Sequence, residues 1–128
     1  MPQQIGIFLD DERDPEDVTW LEYPEDVKWF TVRDEDNFKE VTSFLLMSNF
    51  LVNTDFIISF DHDIQRFDKD GVETTGYTLL KWLVYFISDW KTSTPTCYFH
   101  TQNIIGKKNM ESYWNNYLDF KEKETNNG

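Results

Sequence analysis

Asp55-Phe-Ile-Ile-Ser-Phe60-Asp61-His62-Asp63 decides the fold, because a run of apolar residues breaks off abruptly into three polar, chemically capable ones. Ile5-Gly-Ile-Phe-Leu9 does the same, ending in Asp10-Asp11. Neither run alternates apolar with polar, so each must be covered on both faces. Buried strands of a parallel sheet read this way. A third short run, Thr96 to Phe99, ends in His100-Thr-Gln-Asn103.

Between these runs the periodicity changes. Residues 10–26 are dense in acid, hold prolines at 15 and 24, and show no helical stripe. They read as a loop with one short turn around Val18 and Leu21. Val27 to Val32 reads as a second strand. Asp34 is placed to cap a helix whose Phe38, Val41, Phe44 and Leu45 share one face. Residues 64–75 read as a polar excursion with a turn at Asp70-Gly71, placed to overhang the strand ends. Thr74 or Thr75 then caps a helix over 76–90. That helix carries two apolar stripes, Tyr77, Leu80, Val84, Ile87 and Leu79, Leu83, Phe86, Trp90, and such a helix needs cover on more than one side. A homodimer through helix 76–90 is one way to supply it. The last helix is expected over Gly106 to Leu118, with a flexible charged tail over 121–128.

Strands alternating with helices imply crossover connections and a parallel α/β sheet. Ligands bind such sheets at the carboxyl ends of the strands, where the strand order reverses.

The chain has 128 residues, enough for one domain, expected over 1–120. Apolar residues make up 39% and aromatic residues 17%, which supplies a core without disulfides. Cys97 is the one cysteine, sits in an apolar strand, and reads as an inert core residue. The first residues lack a signal-peptide pattern, and no run approaches 18 apolar residues, so no membrane partner and a cytoplasmic location are expected. The net charge of −12 opposes non-specific binding to DNA, which needs clustered Lys and Arg to displace counterions. It leaves either a metal site with solvated acidic faces, or a surface that imitates a polyanion.

Asp10-Asp11 and Asp61 meet if their strands are neighbours. Converging carboxylates repel one another unless a cation neutralises them, and hard oxygen donors favour Mg²⁺ or Mn²⁺. His62 and His100, the only two histidines, fall on the same rim. They suit general acid–base work on a phosphoester, or ligation of Zn²⁺ together with the aspartates. Lys107 and Lys108 open the last helix and can hold a phosphate or stand as solvated lysines, and Arg33 is a similar open case.

Several blocks resemble a known family. Asp10-Asp11 and Asp55-Phe-Ile-Ile-Ser-Phe-Asp61 resemble the acidic doublet and phosphoacceptor strand of response-regulator receivers. Phe8-Leu-Asp-Asp-Glu-Arg-Asp-Pro15, Ser59-Phe-Asp-His-Asp-Ile64, Thr75-Gly-Tyr77 and His100-Thr-Gln-Asn103 with Gly106 and Met110 resemble the modified cyclic-phosphate-processing receivers. The resemblance implies a truncated receiver-like (flavodoxin-like) three-layer domain, with about four parallel strands in the order 2-1-3-4 and about three helices. It departs from ordinary receivers in three ways. The usual first helix is not legible in 10–26, the fifth strand and its lysine are missing, and His100, or Thr101 if the register slips by one, stands at the Thr/Ser position. Losing the lysine and gaining histidines shifts the expectation from signalling toward catalysis.

The expected function is a metal-assisted phosphoesterase acting on a cyclic phosphate, at an RNA end or in a nucleotide. In it Asp10, Asp11 and Asp61 hold Mg²⁺ or Mn²⁺, and His62 and His100 move protons. Asp63 orients His62 or completes the metal shell, and Arg13, Thr101, Asn103 and Lys107 contact substrate. Two alternatives stand beside it. One is a non-catalytic acidic binder or inhibitor that sequesters a nucleotide or mimics a polyanion, as a phage counter-defence protein does. The other is a degenerate receiver phosphorylated on Asp61.

Overall fold

The apolar runs form strands where their pattern places them. A computed structural model describes residues 4–52, 56–64, 66–67, 69–88 and 94–127. Asp55 and Trp90 lie outside the described residues. In chain order the elements are β1 (Gln4–Leu9), β2 (Val27–Val32), α1 (Glu35–Val52), β3 (Phe56–Phe60), β4 (Arg66–Phe67), β5 (Glu73–Thr74), α2 (Gly76–Ile87), β6 (Thr96–Phe99) and α3 (Ile104–Asn127), with a 3₁₀ turn at Pro15–Asp17.

The main sheet is parallel in the order β2-β1-β3-β6. The chain steps one way from β1 to β2, then reverses for β3 and β6. Right-handed crossovers therefore put the β1–β2 connection on one face and the later helices on the other. The helical face carries the core. Ile7, Leu9, Val32, Phe56, Ile58, Phe60 and Phe99 pack with Phe38 and Leu46 of α1, Leu79, Leu80, Leu83 and Ile87 of α2, and Met110, Trp114 and Tyr117 of α3. The third layer is not helical. Residues 10–26 cross the opposite face, where the Tyr23 ring meets Trp29 at 4.9 Å and Tyr98 at 5.3 Å. Gly6 lies under this layer because a Cβ there would strike the Trp29 ring and Val27.

Local signals set the helix starts. Asp34 accepts the Asn37 amide at 2.9 Å, and Thr75 accepts that of Thr78 at 3.3 Å. Some expectations change. Phe44 is 70% exposed, because the inward row of α1 is Phe38, Thr42 and Leu46, with a threonine taking a core position. The 64–75 excursion folds as a small antiparallel hairpin, β4 on β5, anchored by buried Ile64 and Thr74 with Gly71 at φ 79° in its turn. Residues 121–127 continue α3, and the Lys121 ammonium donates to the Ser88 carbonyl past the end of α2. Within the chain, α2 is covered by the sheet, α1 and α3, and Tyr85 is its large exposed side chain. Burial pushes the Cys97 thiol well above its usual range. Among the described residues, no helix is long and apolar enough to cross a membrane.

Candidate active site

The sheet register builds the site. Leu9, Phe60 and Phe99 pair across β1, β3 and β6, so the next residues, Asp10, Asp61 and His100, leave the sheet abreast. Backbone bonds carry the alignment past the strand ends, from Asp61 N to Leu9 O and from His100 N to Phe60 O, both 3.0 Å. His100, and not Thr101, therefore stands in line with the two aspartates.

Asp10 is almost wholly buried. Its Oδ1 accepts the amides of Glu12 and Arg13, each at 2.9 Å, and its Oδ2 lies 3.1 Å from His100 Nε2. Burial alone pushes this carboxyl up, but the His100 hydrogen bond and the two amides outweigh it and bring it down to about 2. Asp61 is also buried and accepts its neighbour His62's amide at 2.9 Å. Burial, and then the charge of Asp10 beside it, raise this carboxyl above its ordinary value against the Thr101 hydroxyl and the His62 amide. The two carboxyls are thus pushed in opposite directions.

His100 is fully buried. Its ring stacks on Phe8 with centroids 4.3 Å apart, and its carbonyl accepts the Trp20 indole N–H at 2.8 Å. Its Nδ1 lies 2.7 Å from Ser59 Oγ, which lies 2.7 Å from the Tyr23 hydroxyl. Burial, opposed by the Ser59 hydrogen bond, pushes the Tyr23 phenol up to about 12.

A second cluster stands at the rim. His62 Nδ1 lies 2.8 Å from Asp63 Oδ1, and Asn103 Nδ2 donates to Asp63 Oδ2 at 3.1 Å. Burial raises the Asp63 carboxyl, but these two partners outweigh it and lower it. Two glycines make room for the turn. Gly76 donates its amide to the His62 carbonyl at 2.8 Å, and a Cβ there would overlap the Asp61 carbonyl oxygen. Gly106, in the first turn of α3, lies under the His62 ring.

These residues border a cavity of about 190 Å³, lined by Asp10, Asp11, Glu12, Asp61 and Asp63, with Arg13, Thr101, Gln102 and Asn103. The residues expected at the site are sorted by this geometry. Asp10, Asp61, Asp63, Arg13, Thr101 and Asn103 reach the cavity. Asp11 lines it but is not one of the three residues whose ligand atoms lie within 4.8 Å of one another. His100 lies behind Asp10, while His62 and Lys107 stand outside the lining. Arg33 is a clamp and not an anion site, because its guanidinium holds the carbonyls of Asp10 and Arg13 and the carboxylate of Asp14. Tyr23 and Trp20 carry no sequence signal of a site role, whereas Glu12, Ser59 and Gln102 fall inside the blocks that resemble the family, and Ser59 is also the polar residue inside an apolar strand, where a buried hydroxyl needs a partner.

Asp10, Asp61 and His100 offer ligand atoms within 4.8 Å of one another, the one such group among the described residues, and can hold a metal ion. The fit is chemical as well as geometric. Two buried carboxylates side by side carry a repulsion that a bound cation relieves.

A sequence model of the cyclic-phosphate processing Receiver domain matches residues 5–116. The chain belongs to that family. No curated protein and no solved structure matches the chain. The matched region takes in every residue of the cavity.

Proposed function

We propose that this protein is a metal-assisted phosphoesterase that opens a cyclic phosphate or cleaves a nucleotide phosphodiester. The observation that carries the reading is the buried Asp10–Asp61–His100 group, with ligand atoms within 4.8 Å of one another, at the carboxyl edge of a cyclic-phosphate-processing receiver. Asp10 and Asp61 hold Mg²⁺ or Mn²⁺, with His100 beside them. When bound, the cation would neutralise phosphoryl oxygens and lower the pKa of a water so that it can give up a proton and attack.

The remaining work falls to side chains of the cavity and its rim. Arg13 is the cation of the lining, and its guanidinium bonds non-bridging phosphoryl oxygens with the Thr101 hydroxyl and the Asn103 amide. Asp63 accepts the His62 Nδ1 hydrogen, so the neutral ring's lone pair lies at Nε2, which takes the attacking water's proton and passes it to the leaving oxygen. His100 is too deeply buried to touch substrate and acts through Asp10. Lys107, one turn into α3, adds positive charge beyond the lining.

The net charge of −12 favours one other reading, a binder that retains its ligand intact or meets a basic partner. Chromatographic turnover of 2′,3′-cyclic and 3′,5′-cyclic nucleotides, with and without Mg²⁺ or Mn²⁺, separates the two. Metal-dependent ring opening that Asp61→Asn lacks supports the esterase. Ligand bound yet recovered whole supports the binder.

A further inference from the structure

We propose that Tyr23 and Ser59 are positioning residues that commit the His100 ring to Asp10, so that the cation site is built from oxygen donors alone. This rests on the cation-binding half of the function proposed above and not on turnover.

The direction of the relay follows from its carboxylate end. An ionised carboxylate only accepts hydrogen bonds. Asp10 Oδ2 stands 3.1 Å from Nε2 of a ring with no exposed surface, so Nε2 carries the hydrogen and donates it. A ring with its hydrogen on Nε2 presents a lone pair at Nδ1. Ser59 Oγ, 2.7 Å away, meets that lone pair with its own hydrogen. The Ser59 oxygen is then free to accept from the Tyr23 hydroxyl at 2.7 Å. Donors run one way, from Tyr23 to Ser59 to His100 to Asp10. The Phe8 stack fixes the ring plane, and the Trp20 indole holds the backbone carbonyl, so the ring cannot turn to offer another edge.

Lone pairs then decide what a cation meets. Asp10 Oδ1 has spent its capacity on two amides, and Oδ2 has spent half of its own on His100. One lone pair of Oδ2 remains, with the Arg13 guanidinium 3.6 Å away. The donors left are carboxylate oxygens, which suit Mg²⁺ and Mn²⁺. Zn²⁺ is deprived of the imidazole nitrogen it prefers. The proximity of the ring makes the alternative real. Moving its proton to Nδ1 would turn Nε2, 3.1 Å from Asp10 Oδ2, into a ligand in the group whose ligand atoms lie within 4.8 Å of one another. Ser59 and Tyr23 hold the proton against that exchange, and so set which metals the site takes.

The test reads the ring nitrogens of ¹⁵N-labelled protein by long-range ¹H–¹⁵N correlation, with only two histidines to assign. The expected wild-type result is a single proton on Nε2, kept when Mg²⁺ shifts the amides of Asp10 and Asp61. Ser59→Ala is expected to mix the tautomers and, by calorimetry, raise the ratio of Zn²⁺ to Mn²⁺ affinity about tenfold. Tyr23→Phe keeps the ring packing on Trp29 and Tyr98 and is expected to shift both readouts part of the way. Should Ser59→Ala not fold, the wild type and Tyr23→Phe carry the test. A wild-type proton on Nδ1, or loss of the Nε2 proton on adding Mg²⁺, overturns the proposal. So does a Ser59→Ala protein with an unchanged tautomer and metal ratio, or a wild type that binds neither Mg²⁺ nor Mn²⁺. Binding in this pattern without turnover leaves it standing and retires only the phosphoesterase reading.

Discussion

His100 Nε2 and Asp10 Oδ2 lie 3.1 Å apart in a site where the two side chains are 0% and 2% exposed. A bond this deep registers in stability. The Asp10 carboxyl is lowered to about 2 from 3.8, so the folded protein releases that proton more readily than the unfolded chain. The contribution is complete above about pH 4 and is lost as pH falls through about 2. A shift of that size is worth roughly 2 kcal/mol. Urea unfolding between pH 5 and 2 is expected to show this acid limb, and Asp10→Asn to flatten it. An identical limb in the variant would assign the loss to other acids.

Asp61 has the opposite sign. Its raised carboxyl means that ionisation is penalised in the folded state, and the penalty is present at neutral pH and relieved as pH falls. Asp61→Asn removes the charge and retains an oxygen for the His62 amide. The variant is expected to be more stable than the cation-free wild type, since it removes the charge that burial and Asp10 penalise. Wild type should gain roughly 2–3 kcal/mol from Mg²⁺ at about a hundredfold over its dissociation constant, and the variant nothing. Thermal unfolding with and without Mg²⁺ reads both effects, and equal responses in the two proteins would move the cation elsewhere.

The two glycines of the rim separate folding from chemistry. At Gly76 a methyl would meet the Asp61 carbonyl oxygen, which is backbone and cannot step aside. Gly76→Ala is expected to cost roughly 2–3 kcal/mol and to disturb Asp61. At Gly106 the obstacle is the His62 ring, 2.5 Å away at Cγ, which can swing out. Gly106→Ala should stay within about 1 kcal/mol of wild type, since alanine favours the helix, yet lose the His62–Asp63 contact. Denaturation curves and the His62 ring resonances distinguish these outcomes, and equal destabilisation of both variants would refute the contrast.

What the sequence disclosed depended on whether the signal was local. Ile5 to Leu9 and Phe56 to Phe60 were legible because an inner parallel strand is apolar throughout and ends where the sheet ends. Three such ends carry Asp10, Asp61 and His100, so the rim could be read before the strand order was known. The pairing of Tyr23 with Ser59 joins residues 36 apart through the packing of an irregular segment, and no periodicity announces it. Thr42 hides the inward row of α1 behind a polar name, which is why Phe44 read as core. The charged end of α3 reads as a tail until Lys121 is seen to bond the Ser88 carbonyl.

The cavity's own charge sets the order in which ligands enter. Five carboxylates line it against the single guanidinium of Arg13, whose NH1 already lies 3.6 Å from Asp10 Oδ2. A phosphate anion entering this space meets net repulsion at short range, where little water intervenes to screen it. On the function proposed above, a divalent cation would reverse the sign where the phosphoryl oxygens are proposed to sit and release Arg13 from Asp10 to bond them. Calorimetry with inorganic phosphate or a 2′,3′-cyclic nucleotide is therefore expected to show no binding in EDTA and clear binding once Mg²⁺ is added. Arg13→Ala should weaken that second binding about tenfold to a hundredfold, the measure of a charge-assisted hydrogen bond, while leaving Mg²⁺ affinity equal or higher. Anion binding of equal strength in EDTA would show that the acids are not the barrier, and would place the ligand outside this cavity.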